Sequence, residues 1–163
     1  MTLKSIKERL NSKAILFSED KIKDRPTAIG YEKKFRWLWL ATQLNTFVVA
    51  SDFGNEIITQ QTIEDFLTES FKYAKENYTG WPRGLQSGLG VISILISTKV
   101  DNAAVEYCQK LLSGKKWAGF SVPVTVNSST NTVYSFDKNP IWGRIYYPYF
   151  KQMIKDLTGS KQI

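Results

Sequence analysis

Trp81-Pro82-Arg83-Gly84-Leu85-Gln86-Ser87-Gly88-Leu89-Gly90-Val91-Ile92-Ser93-Ile94-Leu95-Ile96-Ser97-Thr98 joins the most turn-like loop of the chain to its most apolar strand candidate. From Val91 to Ile96 only Ser93 is polar, and the run is short, β-branched and bounded by glycines before it and Asp101-Asn102 after it. That pattern predicts a strand buried on both faces. Such a strand needs neighbours on both edges and covering layers above and below, so the rest of the chain must supply helices and further strands.

The loop ahead of the strand carries Arg83 and Gln86 among Gly84, Gly88 and Gly90. Glycines there permit positive φ and close approach of other groups to the backbone. The structural reading is a tight lead into a crowded strand; the functional one is a bare-backbone ledge for an anion, with Arg83 as counter-charge. Nucleotide fingerprints place their glycines after a strand and before a helix, the reverse of the order here. Gly114-Lys115-Lys116 also lacks the hydroxyl residue of a phosphate-binding Gly-Lys-Ser/Thr loop.

Outward from this anchor, Leu3, Ile6, Leu10 and Ala14 recur at helical spacing between lysines and predict a short amphipathic helix. Ser18 to Gly30 is charged and broken by Pro26, and reads as a loop. Phe35-Arg36-Trp37-Leu38-Trp39-Leu40-Ala41 fits a buried strand or a piece of helix. Its tryptophans read as core, with a membrane-interfacial anchor or a base-stacking surface as the functional readings beside Lys33, Lys34 and Arg36. Thr46 to Ser51 predicts a strand that ends in the turn Asp52-Phe53-Gly54-Asn55.

Ile63, Phe66, Leu67, Phe71 and Ala74 predict a helix to Tyr78, capped at Thr62, with acids at its start and Lys72 and Lys75 at its end as the macrodipole prefers. Asp101 or Asn102 caps a second helix through Leu112, with Cys108 on its inward face as an inert thiol. Phe120 to Val126 and Thr132 to Phe136 alternate with period two and predict a β-hairpin, Pro123 facing an edge or bulge. A last helix opens at Asn139-Pro140, carries Trp142, Tyr146, Tyr149, Phe150, Met153 and Leu157 on one stripe, bends at Pro148 and stops at Gly159.

These elements define an α/β (or α+β) chain: one domain over 1–163, with a mixed sheet of about four to five strands, a C-terminal β-hairpin and covering helices. Residues 1–30 stand as a basic helix plus charged loop at its periphery. The 42% hydrophobic and 13% aromatic content fits a packed globule, not a disordered chain. No run reaches the roughly 18 apolar residues of a membrane span, and charges fill the N-terminus where a secretory signal needs an apolar region. The expected location is cytoplasmic.

A single cysteine and no histidine exclude an internal disulfide, a thiolate zinc cluster and Ser-His or Cys-His catalysis. The net charge of +7 is concentrated early: Met1 to Arg36 holds ten Lys/Arg and five Asp/Glu, a surplus of five. That surplus reads as a solvated face before it reads as a nucleic-acid footprint.

Two functional readings follow. The favoured one is a non-enzymatic binding or protein-interaction module, its ligand site formed by Arg83, Gln86, Arg144, Trp81, Trp142 and Tyr146 if the glycine loop meets the last helix. Guanidinium groups beside aromatics suit a small anion or an unpaired base. The alternative is a metal-dependent nuclease, which needs a carboxylate on one strand and Glu-x-Lys on the next. Glu19-x-Lys21 and Glu32-x-Lys34 lie in the charged N-terminal region and not in a clear strand, and Asp52 and Asp137 are the strand-end carboxylates left to hold a metal. Nothing in the sequence calls for a cofactor. A protein partner, a second copy of the chain, an anionic ligand and nucleic acid remain the partner classes.

Overall fold

The computed structural model describes residues 1–39, 41–81, 87–111, 119–137 and 144–159. Its centre is the strand anticipated from the apolar run. β5 (Ser87–Ser97) lies between β3 (Thr42–Asp52) and β7 (Gly119–Asn127) and is parallel to both. Ile92, Ile94 and Ile96 face one layer while Leu89, Val91 and Leu95 face the other, and all six are buried. Full burial on both faces is why the run does not alternate in hydropathy.

The sheet has six strands in the order β1-β2-β3-β5-β7-β8, more than the four to five expected. The additional strands come from the charged stretch read as loop. β1 (Leu16–Ile22) and β2 (Arg25–Arg36) pair antiparallel across a two-residue turn in which Lys23 and Asp24 both have positive φ. β1 sits at the edge, where Glu19, Asp20 and Lys21 are all exposed, so a run of charge is compatible with a strand there. Pro26 precedes the first β2–β3 pair at Thr27, where its missing N–H costs no rung of that ladder. β7 pairs antiparallel with β8 (Thr132–Tyr134), which reaches back only to Thr125, so among the described residues no strand lies outside β7 at Pro123. Two short strands, β4 (Ile57–Ile58) and β6 (Lys99–Val100), form a separate parallel pair.

Helices cover both faces. α2 (Gln60–Glu76) and α3 (Asn102–Lys110) make the β3-to-β5 and β5-to-β7 crossovers and pack on one side. α1 (Leu3–Ser12) and α4 (Tyr147–Thr158) pack on the other, where Ile6 and Leu10 are wholly buried. Close packing uses strand glycines. A methyl at Gly90 would stand 2.8 Å from the Phe150 ring, and one at Gly30 would stand 2.6 Å from Leu10. Neither strand glycine has positive φ, so they serve close approach and not a turn.

Three expected boundaries move. The α2 cap is Thr59, three residues before Thr62, and the two threonines cap each other reciprocally. α4 begins at Tyr147, and Pro148 lies in its first turn, where a missing N–H is harmless; it starts the helix and does not bend it. Asn139-Pro140, the expected helix start, lies outside the described residues. The Phe35–Ala41 stretch divides. Phe35 and Arg36 end β2, Trp37–Trp39 is a turn of 3-10 helix, and Ala41 follows at φ 56°. Trp39 is core at 3% exposure, whereas Trp37 is 80% exposed.

Candidate functional site

The two ends of the sheet differ. At the carboxyl end of the parallel strands, where open α/β sheets usually bind ligands, the backbone is already engaged. Phe53 N–H donates to Ile96, Thr98 N–H to Gly54 and Ser128 N–H to Ser97, and the Ser97 hydroxyl donates to the Glu56 carbonyl at 2.5 Å. Asp52 lies there and accepts from the Gly54 amide at 2.8 Å, an ordinary turn role. Asp137 follows β8, which runs back from the Asn127 level toward the start of β7. It therefore leads away from Asp52, whose partner Ile96 pairs with Val126. Among the described residues no group of three carboxylate or cysteine side chains is placed to hold a metal.

The amino end, where β3, β5 and β7 start and β2 stops, gathers the polar and aromatic groups. Thr42 and Gln43 open β3 with side chains on opposite faces. The Thr42 hydroxyl meets the Tyr146 hydroxyl at 2.7 Å, and Tyr146 also lies edge-on to Trp39 and Phe120. On the other face Gln43 Oε1 accepts the Trp81 amide at 3.1 Å. Trp81 and Tyr146 therefore share one end of the sheet but flank it from opposite sides. Arg144 is exposed just before Tyr146. Arg83, Gln86 and Trp142 lie outside the described residues.

The segment before Trp81 is held by a buried amide. Asn45 accepts from the Tyr31 hydroxyl at 2.8 Å, and its Nδ2 lies 3.4 Å from the Ser87 hydroxyl, which also meets Tyr78 at 2.7 Å. A side chain at Gly80 would collide with that amide. An asparagine just ahead of the apolar Phe47–Ala50 run was the available signal for this network, since a buried amide must find partners.

The second half of β2 builds a cleft that the sequence reading missed. β1 pairing ends at Gly30, after which the Tyr31 amide donates to Ile15 at 2.8 Å, so among the described residues no strand pairs outside residues 32–36. Alternation sends Tyr31, Lys33 and Phe35 to the α2 face and Glu32, Lys34 and Arg36 to the α4 face. There, with Lys13, Tyr149 and Asp156, they line a cleft of about 340 Å³. Both Glu-x-Lys pairs thus lie on strands, Glu19-x-Lys21 on β1 and Glu32-x-Lys34 on β2, which corrects the expectation that the charged N-terminal region holds them outside any clear strand.

The cleft's charges are unequally matched. Tyr149 donates its hydroxyl to the Glu32 carboxylate, and Lys34 Nζ stands 3.5 Å from the same group. Burial first, and then donation to Glu32, pushes Tyr149 ionisation far above its usual range, so it acts as a fixed donor. Lys13 pairs with Asp156 at 2.7 Å and holds that carboxyl below its ordinary value. Arg36 has no carboxylate partner among the described residues; its guanidinium lies over the Trp39 ring at 5.0 Å. Three cations face two carboxylates, a surplus of one centred on Arg36. No family model matches the chain, and no curated protein or solved structure matches it significantly.

Proposed function

We propose that the protein is a non-enzymatic binding module that receives an anionic group in the cleft between β2 and α4. The observation that carries this reading is Arg36: a guanidinium over the ring of a buried tryptophan, without a carboxylate partner among the described residues, opening into a cleft of small-molecule size. Contact with the ring restrains the planar fork, and such a fork suits a carboxylate or phosphate in bidentate fashion. Lys34 adds charge from two residues away on the same face.

The test is calorimetric titration with inorganic phosphate, pyrophosphate and a nucleoside monophosphate. At least one should bind. Arg36→Ala should weaken that binding about tenfold or more while leaving Tm within a degree or two, as an exposed substitution does. Failure of all three probes, or binding indifferent to Arg36, would remove the reading.

Glu32-x-Lys34 on a strand facing a cleft favours a second reading, metal-dependent phosphodiester cleavage. Its carboxylates, however, already carry Tyr149, Lys34 and Lys13 as partners, which a divalent cation would have to displace. Mg²⁺- or Mn²⁺-dependent cleavage of single-stranded or duplex DNA, lost in Glu32→Gln, would establish it over the binding role.

A further inference from the structure

We propose that the amino end of the parallel strands docks on an anionic lipid bilayer, with Trp37 and Leu38 entering the interface. Trp37 is 80% and Leu38 86% exposed, at the tip of the connection between β2 and β3. The tip is anchored from within. Trp39 is buried beneath Arg36 and against Tyr146 and Tyr149, the Thr42 hydroxyl donates to the Trp39 carbonyl, and the Ala41 amide donates to the Trp37 carbonyl at 3.3 Å. Two large apolar groups are therefore held out in water by a packed base.

They have company. Of the seven exposed large apolar side chains among the described residues, Phe35, Trp37, Leu38, Trp81 and Ile145 stand at this one end. Phe35 lies 5.4 Å from Trp37 and 6.1 Å from Trp81 on the α2 face, while Ile145 adjoins Tyr146 on the α4 face. A set drawn from both faces of the sheet presents an end-on surface, which fits a plane better than a peptide-sized groove. Lys33, Lys34, Arg36 and Arg144 stand among these residues, giving the positive charge that an anionic leaflet attracts. Tryptophan beside basic residues prefers the headgroup boundary. Bases stacked on Phe35, Trp37 and Trp81 would leave Leu38 without a role, which is why lipid is favoured over single-stranded nucleic acid. No helix among the described residues is long and apolar enough to cross a membrane.

Sedimentation of the full chain with phosphatidylcholine vesicles, with and without phosphatidylglycerol, tests the assignment. Binding should require the anionic lipid and weaken as salt rises. Trp37→Ser/Leu38→Ser should reduce it at least about tenfold and Lys33→Gln by about fivefold, with circular dichroism and Tm unchanged. Leu38→Ser alone, and quenching of wild-type tryptophan fluorescence by brominated lipid that falls in Trp37→Phe, keep the test decisive if the double variant misfolds. Absence of binding to anionic vesicles, or equal binding by the double variant, overturns the proposal. So does binding of a fluorescent oligothymidylate, in preference to vesicles, that Leu38→Ser leaves intact.

Discussion

Arg36 belongs to two neighbourhoods, because strand alternation turns it toward α4 while chain order makes it the last residue before the exposed Trp37-Leu38 tip. Neither contact is visible in composition. Cys108 illustrates the opposite case, a residue whose fate helical spacing decides. It lies on the inner face of α3 against Thr125 of β7, and burial pushes its thiol up to about 12. The thiolate is the reactive species, so Cys108 should resist a disulfide reagent at pH 8 in the folded protein and react at the rate at which the chain opens. The sign of the linked stability follows. Between the unfolded thiol's value near 9 and the folded value near 12, the unfolded chain binds fewer protons, so stability falls as pH rises through that window. Rapid labelling of native protein at pH 8 would show that the thiol is accessible. Single residues with a strong period were thus legible. Glu32, Lys34 and Arg36 were not, because a strand with one face over an open cleft carries charge where a buried strand carries valine.

At the scale of elements, the central strand and all four helices were readable from apolar spacing, and the misreadings trace to local chemistry. The stretch from Ser18 to Gly30 looks like loop because its edge strand is mostly solvated, and because Lys23 and Asp24 make a positive-φ turn without glycine. Pro148 looked like a kink because the aromatic stripe runs past it, yet Tyr146 precedes the helix and reaches Thr42 from a turn. The α2 cap was placed one turn late because Thr59 and Thr62 are equally good acceptors. The Thr62 amide donates to Thr59 Oγ1 at 3.2 Å, and the Thr59 amide to Thr62 Oγ1 at 3.4 Å. Removal of either hydroxyl breaks one amide bond and the 3.0 Å hydroxyl–hydroxyl bond, but only Thr59 satisfies an amide within the first turn. Thr59→Ala should cost about 1 kcal/mol in urea unfolding with the slope unchanged, and Thr62→Ala less. A larger loss at Thr62 would reverse the assignment of the cap.

For the molecule as a whole, the sheet order ranks the strands by how many neighbours must leave before their amides meet water. β3 and β5 have a strand on each side and a helical layer on each face, so exchange of Phe47 to Ala50 and Val91 to Ile96 requires global opening. β1 has one neighbour and an exposed outer face, and β8 is three residues long. Local fraying reaches both. The N-terminal helix is no loose appendage, since Arg9 donates to the Leu157 carbonyl at 2.8 Å, Lys13 pairs with Asp156, and the terminal amine of Met1 donates to Asn131 at 2.8 Å. α1 should therefore open together with α4. Native-state hydrogen exchange in low denaturant resolves these units. Central-strand amides should follow the global unfolding slope, while β1 and β8 amides should exchange about a hundredfold faster or more, with little denaturant dependence. Amides of α1 and α4 should share one intermediate slope. Protection of β1 equal to that of β5 would mean that the six strands open as one body, and the cleft between β2 and α4, whose β2 wall begins where β1 stops pairing, would then be as rigid as the core itself.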